Sequence, residues 1–233
     1  MKQIFDFLLS FFGLIVLLPI LLFISLISII SQGFPVLFFH ERLGKDGTSF
    51  TMIKFRTMIN GPSISAEHDS TRLTKWGRFL RQTSIDELPV LINVLKGEMS
   101  LVGPRPLPTK YLSRFNSFQL IRFNVRPGIT GLAQINGRNL ISWDERFRYD
   151  INYVNEYSLL LDIKIIFKTM IVLFMKKNVR AKDQEIMPEF MGSKNKGNKA
   201  AKKFVRKLKT KSMKEVVDIT DEIKLLLEGG AYG

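Results

Sequence analysis

The chain of 233 residues has no cysteine and only two histidines, His40 and His68. The first absence removes disulfides, thiolate zinc sites and cysteine nucleophiles together, and the second argues against a histidine-built metal centre. Acidic residues are also scarce, 21 against 35 lysines and arginines, for a formal net charge of +14. Such a surplus points to polyanionic partners: nucleic acid, anionic lipid headgroups or phosphorylated small molecules. Apolar residues are plentiful. They make up 45% of the chain, which excludes a disordered protein and suits one domain of ordinary size with extensions. Any catalysis must therefore run on carboxylates, hydroxyls, lysines or arginines.

The run "FLLSFFGLIVLLPILLFISLISII" carries no charge from Phe7 to Ile30. At about 1.5 Å per residue, a helix of that length reaches across the ~30 Å hydrocarbon core of a bilayer. A cleaved signal peptide fits less well, because its apolar centre is shorter and a small-residue cleavage site should follow. Pro19 lies mid-run, removes one backbone donor and predicts a kink. A kinked helix either spans or turns back to leave on the face it entered. Positive charge at both ends, Lys2 before the run and Arg42 and Lys45 after it, does not separate the two by the positive-inside rule.

Beyond the Gly and Pro interruption "SQGFPVLF", alternation of apolar and polar residues around "GKDG" predicts a hairpin. "LTKWGRFLRQTS" reads as a short amphipathic helix. Leu88, Leu91, Ile92 and Leu95, at i, i+3, i+4 and i+7, predict another, with Gly97 as its stop. Pro89 is comfortable only in a first turn, so this helix should begin at Asp86 or Glu87. "YLSRFNSFQLIRFNV" and "SWDERFRYDINYVNEYS" read as helical, and "RPGITGLAQINGRN" as glycine-punctuated loop. "LLLDIKIIFKTMIVLFM" is apolar but interrupted by Asp162, Lys164 and Lys168, as expected of an amphipathic helix at a membrane surface or on the domain. A lysine-rich stretch follows from residue 192.

The adjacent acids Asp86 and Glu87 admit two readings. They can be helix-capping groups, with Thr83 or Ser84 in a capping box. Alternatively, with Lys54, Arg56, Arg78, Arg81 and Arg105 placed to hold phosphates, they form a phosphate-handling centre. In that setting a carboxylate can hold Mg²⁺ with substrate phosphates, act as a general base, or attack phosphorus.

In order, "KFRTM", "GRFLRQTSIDELPVLINVLKGEMSLVGPRP", "RPGITGLAQINGRN", "SWDERF", Asp150, Tyr153 and "LDIKI" resemble the bacterial sugar transferases of the small monotopic phosphoglycosyl transferase type, over about residues 1 to 180. The resemblance implies that Asp86 attacks the β-phosphate of a UDP-sugar, releasing UMP. Polyprenol phosphate then takes the phosphosugar, with Mg²⁺ held by Asp86 and Glu87 as a second candidate ligand. It also implies phosphate or substrate contacts from Lys54, Arg56, Arg81, Arg105, Arg138 and Asn139, and an N-acetylated amino sugar as donor. The fold it implies is a helix-rich α+β domain on the membrane surface, with amphipathic interfacial helices and a re-entrant N-terminal helix broken at Pro19. Leu18 stands before that proline, where family members often have serine. The parts are then a membrane anchor (1–32), a catalytic domain (33–190) and a basic tail (191–233), at the cytoplasmic face of a bacterial inner membrane. The expected partners are UDP-sugar, undecaprenyl-type polyprenol phosphate and the bilayer, without nucleic acid, and a homo-oligomer stays open. The competing reading is a membrane-anchored polyanion-binding or adaptor protein without catalysis.

Overall fold

The structure, a computed structural model, describes residues 1–59, 71–137, 140–175 and 189–192. The uncharged run lies within one helix, α1 (Lys2–Gln32), that continues through Pro19. The expected break is thus a missing donor and a bulky ring inside one helix, and the helical assignment is not divided there. Gly33 ends the helix at φ 70°, a conformation that favours glycine, and its N–H reaches the Ile29 carbonyl at 2.9 Å. The helix is inside out compared with a soluble one. Asp6, Ser10 and Ser28 are buried against the domain, whereas Phe7, Phe12, Val16, Leu22, Phe23 and Ile30 are exposed.

Both ends of α1 are fastened to the same globular body. At its start, Lys2 pairs with buried Asp162 and donates to the Val102 carbonyl, and Asp6 accepts from the Ser100 hydroxyl at 2.8 Å. At its end, the Arg56 guanidinium donates to the Gln32 and Gly33 carbonyls, both at 2.6 Å, satisfying carbonyls that a helix terminus leaves unpaired. Trp76 adds a bond to Ser28 at 2.9 Å.

The expected hairpin forms, with β1 (Leu37–Leu43) antiparallel to β2 (Ser49–Phe55) and Phe38 opposite Lys54, His40 opposite Met52, and Arg42 opposite Phe50. These six residues share one face, because cross-strand partners and residues two apart point the same way. Met52 packs from that face on Val90, Val94 and Met99, while Phe55 packs on Ile24 and Leu80. Helix α2 (Lys75–Thr83) is capped by Thr74, whose side chain accepts from the Gly77 N–H. A short 3₁₀ segment, Ile85–Val90, then leads into α3 (Leu91–Leu95).

A second pairing was not foreseen. The "RPGITG" stretch contains β4 (Gly128–Thr130), parallel to β3 (Ser100–Val102). Gly128 is required by close approach, since a Cβ there would lie 2.0 Å from the Gly103 nitrogen. The stretch expected as one helix from Tyr111 is instead divided into Thr109–Arg114, Ser117–Leu120 and Ile121–Asn124. Helix α4 (Trp143–Glu156) opens with a capping box between Ser142 and Glu145. Helix α5 (Leu159–Met175) buries Asp162 and Ile165 and exposes Leu160, Ile163, Phe167 and Met170. An aromatic core of Tyr111, Phe115, Phe123 and Phe147 is completed by Phe190.

Candidate active site

Helix α2 stops at Ser84, which adopts φ 59°, and the chain re-enters as a 3₁₀ turn carrying Asp86 and Glu87. Pro89, without an N–H, sits within that turn. The dyad therefore lies in a tight 3₁₀ segment and does not begin an α-helix. The capping reading fails here: Ser84 makes no side-chain cap, and the Thr83 hydroxyl donates back to the Phe79 carbonyl at 2.8 Å.

The two acids receive opposite treatment. Glu87 Oε1 accepts from Lys54 Nζ at 2.7 Å and from Arg105 Nη2 at 2.8 Å, with side-chain exposures of 16, 17 and 39% for Glu87, Lys54 and Arg105. Burial alone would raise the Glu87 pKa, but the two cations win and hold it well below the usual carboxylate range. Asp86, half-buried, has no hydrogen-bond partner among the described residues. Burial first and the neighbouring Glu87 charge second push it up to about 6, against the pull of Lys54, Arg105 and Arg81. Pushing apart the pKa values of two neighbouring acids separates their roles. Glu87 organises cations, and Asp86 is left with a carboxylate free to meet a ligand.

The cations respond in turn. Burial lowers the Lys54 pKa against the opposing effect of Glu87, whereas Glu87 raises that of Arg105. Arg81 bonds the Thr57 hydroxyl at 2.9 Å on the Asp86 side of the site. Arg56 is not brought to the dyad, since its guanidinium faces the end of α1. Pro19 lies in the middle of α1 and is exposed. Arg138 and Asn139, like His68, fall outside the described residues.

Several contributors escaped the sequence reading. Arg122, 2% exposed like its partner Asp150, bonds that carboxylate at 2.9 Å and the Arg105 carbonyl at 2.7 Å. It thereby fixes the loop that aims Arg105. Nothing in its local sequence marks it, because Phe115, Phe123 and Phe147, drawn from three segments, enclose it. Arg146 lies over the Trp143 ring at 5.1 Å and within the field of Arg105. His40 and Arg42 share the hairpin face of Lys54, a relation that strand alternation contained once the register was known.

Among the described residues no group of three or more His, Cys, Asp or Glu side chains could hold a metal unaided. The donor set suits Mg²⁺, which takes one or two carboxylates and completes its shell with water and substrate phosphates. Asp86 is unbonded, and both cations converge on Glu87 Oε1, so Oε2 remains as a second ligand atom.

The model of the bacterial sugar transferase family matches residues 1–176. An uncharacterized sugar transferase of Bacillus subtilis, EpsL, is 43% identical over 195 residues, 83% of this chain and 96% of its own. The UDP-glucose:undecaprenyl-phosphate glucose-1-phosphate transferase of Klebsiella pneumoniae is 41% identical over 190 residues, covering 76% of this chain and 41% of its own. The undecaprenyl-phosphate galactose phosphotransferase of Salmonella typhimurium is 37% identical over 195 residues, with the same two coverages. The chain thus spans less than half the length of these last two relatives.

Proposed function

The chain belongs to the bacterial sugar transferase family, and from that premise we propose that it transfers a phosphosugar from a UDP-sugar to polyprenol phosphate through Asp86. The observation that carries this reading is the split dyad, one acid locked between two cations and its neighbour unbonded.

An Asp86 oxygen attacks the β-phosphorus of the donor. The bond from that phosphorus to the bridging oxygen breaks, its electron pair leaves with UMP, and an aspartyl phosphosugar remains. A phosphate oxygen of polyprenol phosphate then attacks the same phosphorus and returns the Asp86 carboxylate, giving polyprenol diphosphate-sugar. Asp86 and Glu87 Oε2 would hold Mg²⁺, which when bound would supply charge neutralisation on the donor phosphates. Lys54 and Arg105, preset by Glu87, stabilise charge as it moves between oxygens. Arg81, Arg138 and Asn139 complete the donor contacts. Arg56 serves them indirectly by holding the end of α1.

The anchor supports the same reading. A helix of 31 residues is about 46 Å long, enough to cross a bilayer. Yet Lys2 and Gln32 are tied to one body, which favours a re-entrant helix with both ends at the cytoplasmic face. Its apolar outer face, the exposed apolar residues of α5 and the lipid nature of the acceptor support a catalytic domain lying on the inner-membrane surface. For the donor, the N-acetylated amino sugar implied by the motifs stands beside the glucose and galactose in the relatives' names.

The test is UMP release from a panel of UDP-sugars, with polyprenol phosphate and Mg²⁺. Wild type should turn over at least one donor, and Asp86→Asn should lose about 10³-fold or more. Full activity in Asp86→Asn would refute nucleophilic attack by Asp86. Trapping the phosphosugar on wild type without acceptor isolates the first step.

A further inference from the structure

Glu87 neutralises Lys54 and Arg105, but the same hairpin face carries a third cation without a carboxylate of its own. Arg42 lies two rows from Lys54 on that face, and no acidic side chain among the described residues comes within ion-pair distance of it. Its Nη2 lies 3.3 Å from His40 Nδ1, and its Nε is buried with no hydrogen-bond partner among the described residues. Because a guanidinium only donates, His40 Nδ1 must accept, which leaves the imidazole proton on Nε2. Burial and the charges of Arg42 and Lys54 push the His40 pKa down to about 4, so the ring stays a neutral acceptor at ordinary pH.

Arg42 is held rigidly relative to Arg105. The Arg42 backbone bridges to Pro108, and the Leu43 N–H reaches the Leu107 carbonyl at 2.9 Å. This stitches β1 to the loop that carries Arg105. Burial first and Arg105 second lower the Arg42 pKa to about 10, against the pull of the Glu87 carboxylate, which bonds Arg105 and not Arg42. A buried donor kept unpaired is costly unless a ligand completes it.

We propose that Arg42, oriented by His40, is a phosphoryl-binding residue whose Nε–H and free Nη–H take nonbridging oxygens of a phosphate group held alongside Arg105. Two substrates of the proposed reaction bring such a group, the nucleotide diphosphate of the donor and the phosphate of the lipid acceptor. Only the choice between them rests on the transferase reading; the phosphate chemistry does not. His40 is a positioning residue, acting through Arg42.

The experiment uses the full chain in lipid nanodiscs, with inorganic phosphate and UMP as probes and ligand-dependent shifts in thermal unfolding as the readout. Arg42→Gln should weaken binding of the responsive probe about tenfold or more, consistent with loss of hydrogen bonds from a charged donor. Arg42→Lys keeps the charge but loses the fork, and should recover only part. His40→Ala should weaken binding about threefold, and Lys96→Gln, an exposed control, should leave it unchanged. Binding by Arg42→Gln within twofold of wild type, or no response of wild type to either probe, overturns the assignment. If Arg42→Gln does not fold, wild-type affinity in Arg42→Lys overturns it instead. With turnover established, a rise in KM for UDP-sugar alone assigns the donor phosphate, a rise for polyprenol phosphate alone assigns the acceptor, and a rise for both assigns one shared site. Absence of turnover in a wild type that binds phosphate through Arg42 refutes the transferase reading and leaves this site standing.

Discussion

At the start of α1, Lys2, Asp6 and Asp162 form an ionic cluster in which each charge has a partner. Lys2 reaches both carboxylates, Asp162 also accepts from the Tyr153 hydroxyl at 2.6 Å, and Asp6 from Ser100 at 2.8 Å. At the hairpin, Lys54, Glu87 and Arg105 form a similar cluster, yet Asp86 and Arg42 Nε beside it have no partner among the described residues. Both clusters lie at junctions between elements distant in sequence. The first is saturated and joins α1 to β3 and α5. The second is incomplete, and unpaired polar groups in a partly desolvated place mark where a ligand is expected. Saturation distinguishes a structural clasp from a working site better than charge or burial does.

The comparison breaks most visibly at Glu87. Glu87→Gln removes one carboxylate from a desolvated Lys54 and a more exposed Arg105 and, discounted for solvent screening at Arg105, should cost about 2 kcal/mol of stability, together with most of the activity. Thermal unfolding and UMP release measure both losses, and a fully active, unshifted variant would show that Lys54 and Arg105 do not depend on Glu87. The clasp should respond differently. In Asp162→Asn, Lys2 keeps Asp6 and Tyr153 keeps an acceptor, so the loss should be about 2 kcal/mol in stability, and the fraction that folds should turn over UDP-sugar within about threefold of wild type. A large fall in kcat without a stability change would move Asp162 into the catalytic machinery.

The smallest effect concerns protonation. The folded pKa of Asp86 is raised to about 6 from the ordinary aspartate value of about 3.8. Its contribution to stability is therefore fully present below about 3.8 and is lost as pH rises through about 6. Asp86→Asn should accordingly raise the melting temperature at pH 8 by a few degrees, with a smaller gain near pH 4. In wild type, kcat/KM for the donor should rise with pH because attack needs the carboxylate, and Mg²⁺ on Asp86 should move that rise below about 6. A profile that falls as pH rises from about 4 to about 6 would place the limiting ionisation elsewhere.

Much of this was legible in the sequence because it rests on local pattern. The uncharged run gives α1, alternation about "GKDG" gives the hairpin, and "SWDERFRYDINYVNEYS" gives α4. Asp86, Glu87, Lys54 and Arg105 were likewise identifiable as an acid–base motif, and the structure brings the last three together. Arg56 was not separable from Lys54 by pattern: strand alternation sends neighbouring side chains to opposite faces, and which face meets the site depends on what packs there. The β3–β4 pairing was hidden because each strand has three residues, too few to show a period.

The sequence by itself determined the apolar anchor, the excess of positive charge and the placement of two acids beside a proline, because these are properties of composition and near neighbours. Only the tertiary structure decided that Glu87 is shared by Lys54 and Arg105, that Asp86 has no partner among the described residues, that Arg122 stands behind Arg105 and that Arg42 joins the same hairpin face as Lys54. Those outcomes depend on which groups distant in the chain are desolvated together, and desolvation is a property of the packed molecule rather than of any segment.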